Sequence, residues 1–328
     1  MKPFRAGHAT FSAKGSSRLG FAALAIAAIW VCGCSGATTR VSAAPAPFQF
    51  VGAWGTKGTG PGQLDDPASI ATDMRGDVYI ADPGSQFIEK FQPGGTPLLA
   101  FQFPRLEHPQ SIAVDRGGAI YVSDPVRASV FVFLPDGTLY REIRLLTRPN
   151  EENTIGVAVD DSGDMNVLDV NASKLYAFSP RFRLEHVWKP GAGTASGPGR
   201  PTFVVSGPGD AIYVAGMAEN SLSRFDDGRF SSQISLGAES SAEPPSTPVL
   251  TRIGDQFAIS SNFVFLADPD GKTLHVWTLS GQPQGEFDLS AQLGSDQRTA
   301  PPIAVTPAND LLVLDTRQAR VFRYHLNF

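Results

Sequence analysis

From residue 48 onward, apolar and polar positions alternate in short runs that Gly- and Pro-containing segments separate. A period of two places the apolar side chains on one face of a β-strand, and turn residues bound strands of about 4–6 residues. No segment in this region has the period of an amphipathic helix. The 33 Gly and 26 Pro residues, with only 18% charged residues, fit many turns between short strands. The pattern therefore predicts an all-β fold.

The chain repeats this pattern at a long period, clearest when residues 66–101 are compared with residues 108–143. Each segment has Pro, a short apolar strand, Asp, a Gly turn, an alternating strand ending in Asp, an aromatic-bearing strand, Gly and a last strand. Weaker copies occupy residues 154–188, 201–235, 255–289 and 301–326. A four-strand unit cannot bury both faces alone, and radial stacking of such units into a β-propeller solves this problem.

The ends of the chain fix the predicted number of blades. The sixth unit stops after its third strand, residues 320–326, and an unassigned strand, residues 48–55, precedes the first unit. We expect this N-terminal strand to complete the sixth blade and close the ring, because closure leaves only short strand edges exposed. The prediction is a six-bladed β-propeller over residues 48–328.

Residues 55–95, "GTKGTGPGQLDDPASIATDMRGDVYIADPGSQFIEKFQPGG", resemble the NHL repeat. The second unit matches nearly as well, the others are degenerate, and the likeness covers roughly residues 48–328. The resemblance implies an NHL-like six-bladed propeller, and fold alone does not fix function. Some NHL propellers are enzymes: the peptidyl amidating lyases hold zinc with three channel histidines, and paraoxonase-like propellers hold calcium.

The first 33 residues read as an export signal. Four basic residues and no acid precede an uncharged segment, residues 19–31, which is too short to span a bilayer alone. The two cysteines, Cys32 and Cys34, follow it in "VCGC". A disulfide there would close a strained ring, and two thiolates make a poor metal site. The segment resembles a bacterial lipobox, with Val and Cys at positions where other residues are commoner. This implies cleavage before Cys34 and lipid on its sulfur.

The expected organisation is a lipoprotein signal peptide at residues 1–33, a flexible tether at residues 34–47 and the propeller. Loss of four bases with the signal leaves 23 basic against 32 acidic residues, a net charge of −9. This charge makes nucleic acid a poor partner. We expect a protein of the bacterial cell envelope that faces away from the cytoplasm, on the periplasmic side of the outer membrane if the cell has one.

Five aspartates, Asp82, Asp124, Asp169, Asp268 and Asp315, end the second strand of their units. Their regular spacing could suggest metal binding, but Asp at such a position more often caps the following turn through backbone N–H groups. His108 alone stands at the start of an innermost strand, whereas His186, His275 and His325 fall on outer strands. The sequence therefore predicts no metal and no cofactor.

Alignment of the units places polar residues just before the innermost strands, around one mouth of the channel. These are Asp66, His108, Asn153, Arg200, Arg252 and Thr299. One interpretation is that they shape the loops that enter the blades. The other interpretation is that the first five of these residues form a ligand cup of mixed charge. In this cup the two arginines would hold an anion and repel a bare cation.

These observations favour a lipid-anchored propeller that acts as a binding or scaffolding module for an unknown protein, peptide or small molecule. An enzyme is the alternative, a metal-assisted lyase or hydrolase working at the channel mouth.

Replacement of Cys34 provides a direct test of the anchor. We expect Cys34→Ser to abolish incorporation of labelled fatty acid and cleavage by the lipoprotein-specific peptidase, because both steps need the thiol. Cys32→Ser, the matched control, should still be labelled. Fatty-acid labelling of the Cys34→Ser protein would contradict the assignment.

Overall fold

The computed structural model describes residues 47–145, 154–189, 201–216, 221–236, 256–268, 270–293 and 299–328. The predicted signal peptide, the predicted tether up to residue 46 and Cys34 lie outside these residues. Within the described residues the regular structure consists of β-strands. They belong to the unit Pro45–Phe328.

The strands form six antiparallel sheets of four, which are the six predicted blades. Blade one has β2 (Ser69–Thr72), β3 (Val78–Asp82), β4 (Phe87–Phe91) and β5 (Pro97–Phe101). Blade two has β6 (Ser111–Val114), β7 (Ile120–Asp124), β8 (Ser129–Phe133) and β9 (Leu139–Arg144). Blade three has β10 (Ile155–Val159), β11 (Met165–Asp169), β12 (Lys174–Phe178) and β13 (Leu184–Trp188).

The other three blades have the same order. Blade four has β14 (Pro201–Ser206), β15 (Ala211–Gly216), β16 (Ser221–Asp226) and β17 (Arg229–Ser235). Blade five has β18 (Phe257–Ile259), β19 (Phe263–Ala267), β20 (Thr273–Thr278) and β21 (Pro283–Asp288). Blade six has β22 (Ile303–Val305), β23 (Asp310–Asp315) and β24 (Arg320–Leu326), with β1 (Phe48–Trp54) as its outermost strand.

The ring closes as predicted, through the N-terminal strand. β1 pairs antiparallel with β24, from Phe48 opposite Leu326 to Trp54 opposite Val321. The backbone N–H of Asn327 also donates to the carbonyl of Pro47 at 3.0 Å. The first and last described segments of the chain therefore lie side by side in one sheet.

The interface between blades six and one has the same kind of contacts as the interface between blades one and two. The Trp54 ring lies 4.8 Å from the Phe91 ring of blade one, as Phe101 of blade one lies 5.0 Å from Phe133 of blade two. Gly95 approaches Trp54 so closely that a Cβ at Gly95 would lie 2.3 Å from the indole, and its φ of +89° also excludes most other residues. β1 thus fills the place that an outermost strand has in every other blade.

The core is divided into six apolar clusters, each of which fills the space between two neighbouring blades. Second and third strands supply most of it, because they are covered on both faces and most of their residues are buried. Fully buried Tyr79, Phe131 and Phe265 are among its largest side chains. The outermost strands are covered on one face only, and most of their residues are exposed or half-buried.

One acid is buried beside the closing interface. The Glu89 side chain on β4 is fully buried, and its carboxylate accepts a hydrogen bond from the N–H of Gly62 at 3.1 Å. Burial raises the pKa of Glu89 to about 7 and the nearby charge of Asp82 adds to the effect, while the Gly62 hydrogen bond opposes it. Burial in apolar surroundings disfavours the charged form of a carboxyl.

Removal of the closing strand tests the topology. Deletion of residues 48–55 should expose an unpaired edge on β24 and remove the contacts of Trp54. We expect a loss of several kcal/mol in the free energy of unfolding, since one large apolar side chain contributes roughly 2–5 kcal/mol. Urea denaturation measures this loss. Deletion of residues 36–43 is the control of equal length, and an equal urea midpoint in both proteins would contradict the closure.

Glu89→Gln tests the buried acid through the pH dependence of stability. The pKa of Glu89 is higher in the folded than in the unfolded chain, so the wild-type protein loses stability as pH rises from about 4.5 to 7. The neutral variant lacks this loss. The free energy of unfolding of the variant should rise above that of wild type across this pH interval, and the difference should reach about 1–3 kcal/mol at pH 8.

Glu142→Gln is the control with the opposite sign. Burial tends to raise the pKa of Glu142, but hydrogen bonding by Arg144 and the charges of Arg105 and Arg144 lower it on balance. That variant should be less stable than wild type at neutral pH, and the difference should shrink as pH falls below about 4.5. An advantage of Glu89→Gln that is the same at pH 4 and pH 8 would contradict the assignment.

Candidate functional site: the central channel

The innermost strands of the six blades surround a cavity of about 640 Å³ on the propeller axis. Its lining combines apolar and polar surface in similar amounts. The strands contribute the aliphatic and aromatic side chains of Ile70, Ile112, Val157, Val204, Phe257 and Ile303, together with alanines and the serines Ser69 and Ser111.

The innermost strands have one edge without a strand partner, and side chains of the neighbouring blade occupy part of it. Ser69 Oγ accepts from the N–H of Ile112 at 3.3 Å, and Ser111 Oγ accepts from the N–H of Val157 at 3.2 Å. On the other side, Thr72 Oγ1 donates to the carbonyl of Val305 at 3.0 Å. These bonds join blades six, one, two and three around the channel and use hydroxyls that a ligand could otherwise bind.

The antiparallel strand order gives the propeller two distinct faces. We call the side with the turns between first and second strands, and between third and fourth strands, the C-terminal face, because Phe328 and Pro47 also lie there. The opposite face carries the turns between second and third strands and the connections between blades. The cavity lining reaches the C-terminal face through Met74, Asp161, Asn262, Asn309 and Phe328.

The carboxylates at this rim have partners. Asp73 accepts from the N–H of Asp77 at 3.0 Å and from the hydroxyl of Tyr79 at 3.0 Å, and Lys90 pairs with Asp77 at 3.0 Å. Asp161 forms an ion pair with Arg116, with 2.9 Å between Nε and Oδ1. The side chain of Asp73 thus accepts hydrogen bonds within the turn that follows it, which is common for Asp in turns.

Acidic residues gather on the C-terminal face at blades three and four. Burial raises the pKa of Asp160 to about 6, and the charges of Asp164 and Asp210 add to this. Burial also raises the pKa of Asp164, with contributions from the charges of Glu185, Asp227 and Asp210. Blades three and four therefore present negative charge on one side of the channel mouth.

Two of the predicted cup residues, Asp66 and His108, are described, and both are exposed on the opposite face. Their backbone N–H groups donate to strand-end aspartates, Asp66 to Asp82 at 3.0 Å and His108 to Asp124 at 3.4 Å. Neither residue is among those that line the cavity. Asn153, Arg200 and Arg252 lie outside the described residues. The cup stays a prediction.

The strand-end aspartates act as turn caps in four of five places. Asp82, Asp124, Asp169 and Asp315 accept hydrogen bonds from backbone N–H groups two or three residues later. Asp268 instead contacts Nε2 of His275 at 2.9 Å, and Nδ1 of the same ring lies 3.1 Å from Glu286.

The remaining histidines lie on outer strands, as the alignment predicts: His186 on β13, His275 on β20 and His325 on β24. Among the described residues no three His, Cys, Asp or Glu side chains are grouped closely enough to hold a metal ion. No helix among those residues is long and apolar enough to span a membrane.

Sequence reasoning did not name the residues that form the cavity. The predicted cup consists of polar residues before the innermost strands, whereas the cavity lining comes from the strands themselves and from the turns that follow them. The segments "TDMRG" after β2 and "SSNF" after β18 carried a usable signal, because the predicted topology already placed every such turn at one end of the channel.

Comparisons with known proteins agree on the fold. No family model and no curated protein matches the chain. Among solved structures, a streptogramin B lyase has a TM-score of 0.55 at 13% identity and covers 80% of this chain and 94% of its own. A virginiamycin B lyase from Staphylococcus aureus has a TM-score of 0.53 at 15% identity, covering 86% and 89%. The U3-55K structure has a TM-score of 0.51 at 9% identity, covering 76% and 74%. At these identities the likeness shows the propeller fold alone.

Proposed function

We propose that this six-bladed propeller is a lipid-anchored, NHL-type binding module of the bacterial cell envelope, and that it holds a small, largely apolar ligand in its channel. The observation that carries the binding function is the channel cavity of about 640 Å³. Ligand pockets usually measure roughly 300–1,000 Å³ and combine an apolar lining with a few polar groups. The lipobox-like "VCGC" and the preceding apolar segment support the anchor.

The positions of the polar groups define the class of ligand. Ser69 and Ser111 already accept hydrogen bonds from the next blade, and the aliphatic side chains of the innermost strands supply the apolar contacts of the channel. Amide and carboxylate groups lie at the rim, on Asn262, Asn309 and Asp161. A matching ligand has an apolar body that fills the channel and a polar end that stays at the rim.

The second candidate is a lyase or hydrolase that works at the channel mouth. Two structures with the same fold are named as lyases of streptogramin B and virginiamycin B, which favours an enzyme as the alternative. Metal analysis of the purified mature protein separates the two candidates. Zinc or calcium at one ion per chain would favour the enzyme.

Filling the channel tests the binding function. Ala113 lies on β6, where it lines the cavity and packs against the apolar cluster between blades two and three, so Ala113→Trp places an indole at the wall of the channel. With N-phenyl-1-naphthylamine as the probe, we expect saturable binding to the wild-type protein and at least a tenfold weaker affinity in the variant. Fluorescence titration measures both affinities.

Leu98→Trp is the matched control, because Leu98 is exposed on the outermost strand β5 and does not line the cavity. It should bind the probe within about twofold of wild type, since exposed substitutions rarely change the fold. Equal urea midpoints for the two Trp variants would show that the ring is intact. Wild-type affinity in Ala113→Trp would overturn the channel as the site.

A further inference from the structure

The exposed large apolar side chains are not spread evenly over the propeller. Of the nine among the described residues, six lie in turns of the C-terminal face, in the first two residues of the strands that leave those turns, or at the chain end. They are Met74, Leu98, Leu134, Tyr140, Leu184 and Phe328. Within the same residues, none lies in the turns between second and third strands.

Two of these side chains stand at the mouth of the channel. Met74 is 60% exposed and Phe328 is 45% exposed, and both line the cavity. Single exposed apolar residues are common on protein surfaces, but a concentration on one face marks an interaction site. Here the concentration coincides with the opening of the channel.

A row of aromatic rings connects the mouth with the outer edge of blade six. Consecutive ring centroids are 4.6–5.6 Å apart along Phe263, Phe328, Phe48, Phe287, Tyr324 and Phe50. Phe48 and Tyr324 are buried and Phe287 is partly buried, whereas Phe328 and Phe50 are about half exposed. The row ends on β1, the strand through which the chain reaches the propeller.

The position of Pro47 in the chain and in the fold indicates what covers the C-terminal face. Pro47 lies on the C-terminal face, where its carbonyl accepts from the N–H of Asn327. Pro47 lies only 13 positions after Cys34 in the chain. At about 3.3–3.6 Å per residue, this length keeps Pro47 within roughly 45 Å of a lipid attached to Cys34.

We propose that the C-terminal face docks on the lipid bilayer through the side of blades six, one and two, with the channel mouth opening onto the membrane. This inference rests on the lipid anchor of the proposed function. Met74, Leu134 and Phe328 enter the interfacial layer of the bilayer. The ligand of the channel is then a membrane-soluble compound that passes between the bilayer and the cavity.

The distribution of charge indicates which side of the C-terminal face contacts the bilayer. Asp164, Asp210 and Asp227 lie on blades three and four, and their negative charge is unfavourable near anionic headgroups. Docking should therefore come from apolar contact, and it should be equal or weaker when phosphatidylglycerol is added to phosphatidylethanolamine–phosphatidylcholine vesicles. This dependence is opposite to that of a basic surface, which needs anionic lipid.

Depth-dependent quenching tests the orientation with the full, lipid-modified chain. Because the mature chain has one cysteine and it carries the lipid, an introduced cysteine is the only free thiol. Met74→Cys and Leu134→Cys place an NBD fluorophore on the C-terminal face, and Lys272→Cys places the matched label on an exposed turn of the opposite face. Each protein is reconstituted into phosphatidylethanolamine–phosphatidylcholine vesicles and first scored for flotation.

The expected result is at least threefold stronger quenching by doxyl-labelled phospholipid at positions 74 and 134 than at position 272, with the reverse order for iodide in water. Vesicles that float the protein but give equal iodide quenching at all three positions would overturn the docking and leave the anchor intact. A protein that does not float would overturn both. If the labels at positions 74 and 134 become protected from iodide only after envelope proteins are added, the bilayer proposal is wrong and the C-terminal face binds a protein partner.

Discussion

The antiparallel pairing of β1 with β24 is the interaction on which the rest of the molecule depends. Without it, the sixth sheet would end in an unpaired edge, and the apolar cluster between blades six and one would lose Trp54 from its side. The channel depends on the same pairing, because a cavity on the axis exists only when all six innermost strands are held in a ring. Closure of the fold and formation of the candidate site are therefore one event.

Hydrogen bonds to the inner strand edges occupy some of the polar groups that line the channel. An innermost strand has N–H and C=O groups on its inner edge that no fifth strand covers, and unpaired buried groups of this kind are costly. In blades one and two, Ser69 and Ser111 bind N–H groups of the next blade, so the hydroxyls that face the axis serve the ring itself. At Gly156, which occupies the corresponding position in blade three, Val204 lies so close that a Cβ would be 2.9 Å from its Cγ1. Apolar packing there replaces the hydrogen bond.

The repeat made the blade architecture predictable, because each unit carries its own turn signals and alternation. The number of blades and the closing strand followed from the incomplete sixth unit and the unassigned strand at residues 48–55. The cavity was less accessible to such reasoning. Whether Phe328 points into the channel or into solvent depends on the twist of a sheet and on packing against Phe48 and Phe263, which no local pattern encodes. The pairing of Asp268 with His275, in place of a backbone cap, likewise depends on a neighbouring strand.

The side-by-side position of Phe48 and Leu326 also has a consequence for how the protein is made. Among the described strands β1 is made first and pairs with β24, the third strand of blade six, so all six blades must be made before the ring can close. Contacts between such distant residues slow folding and keep an open edge exposed in the meantime. A chain truncated before β24 retains five complete blades and an unpaired β1, which leaves it open to proteases. Proteolysis can therefore remove chains that lack β24 without any dedicated recognition signal.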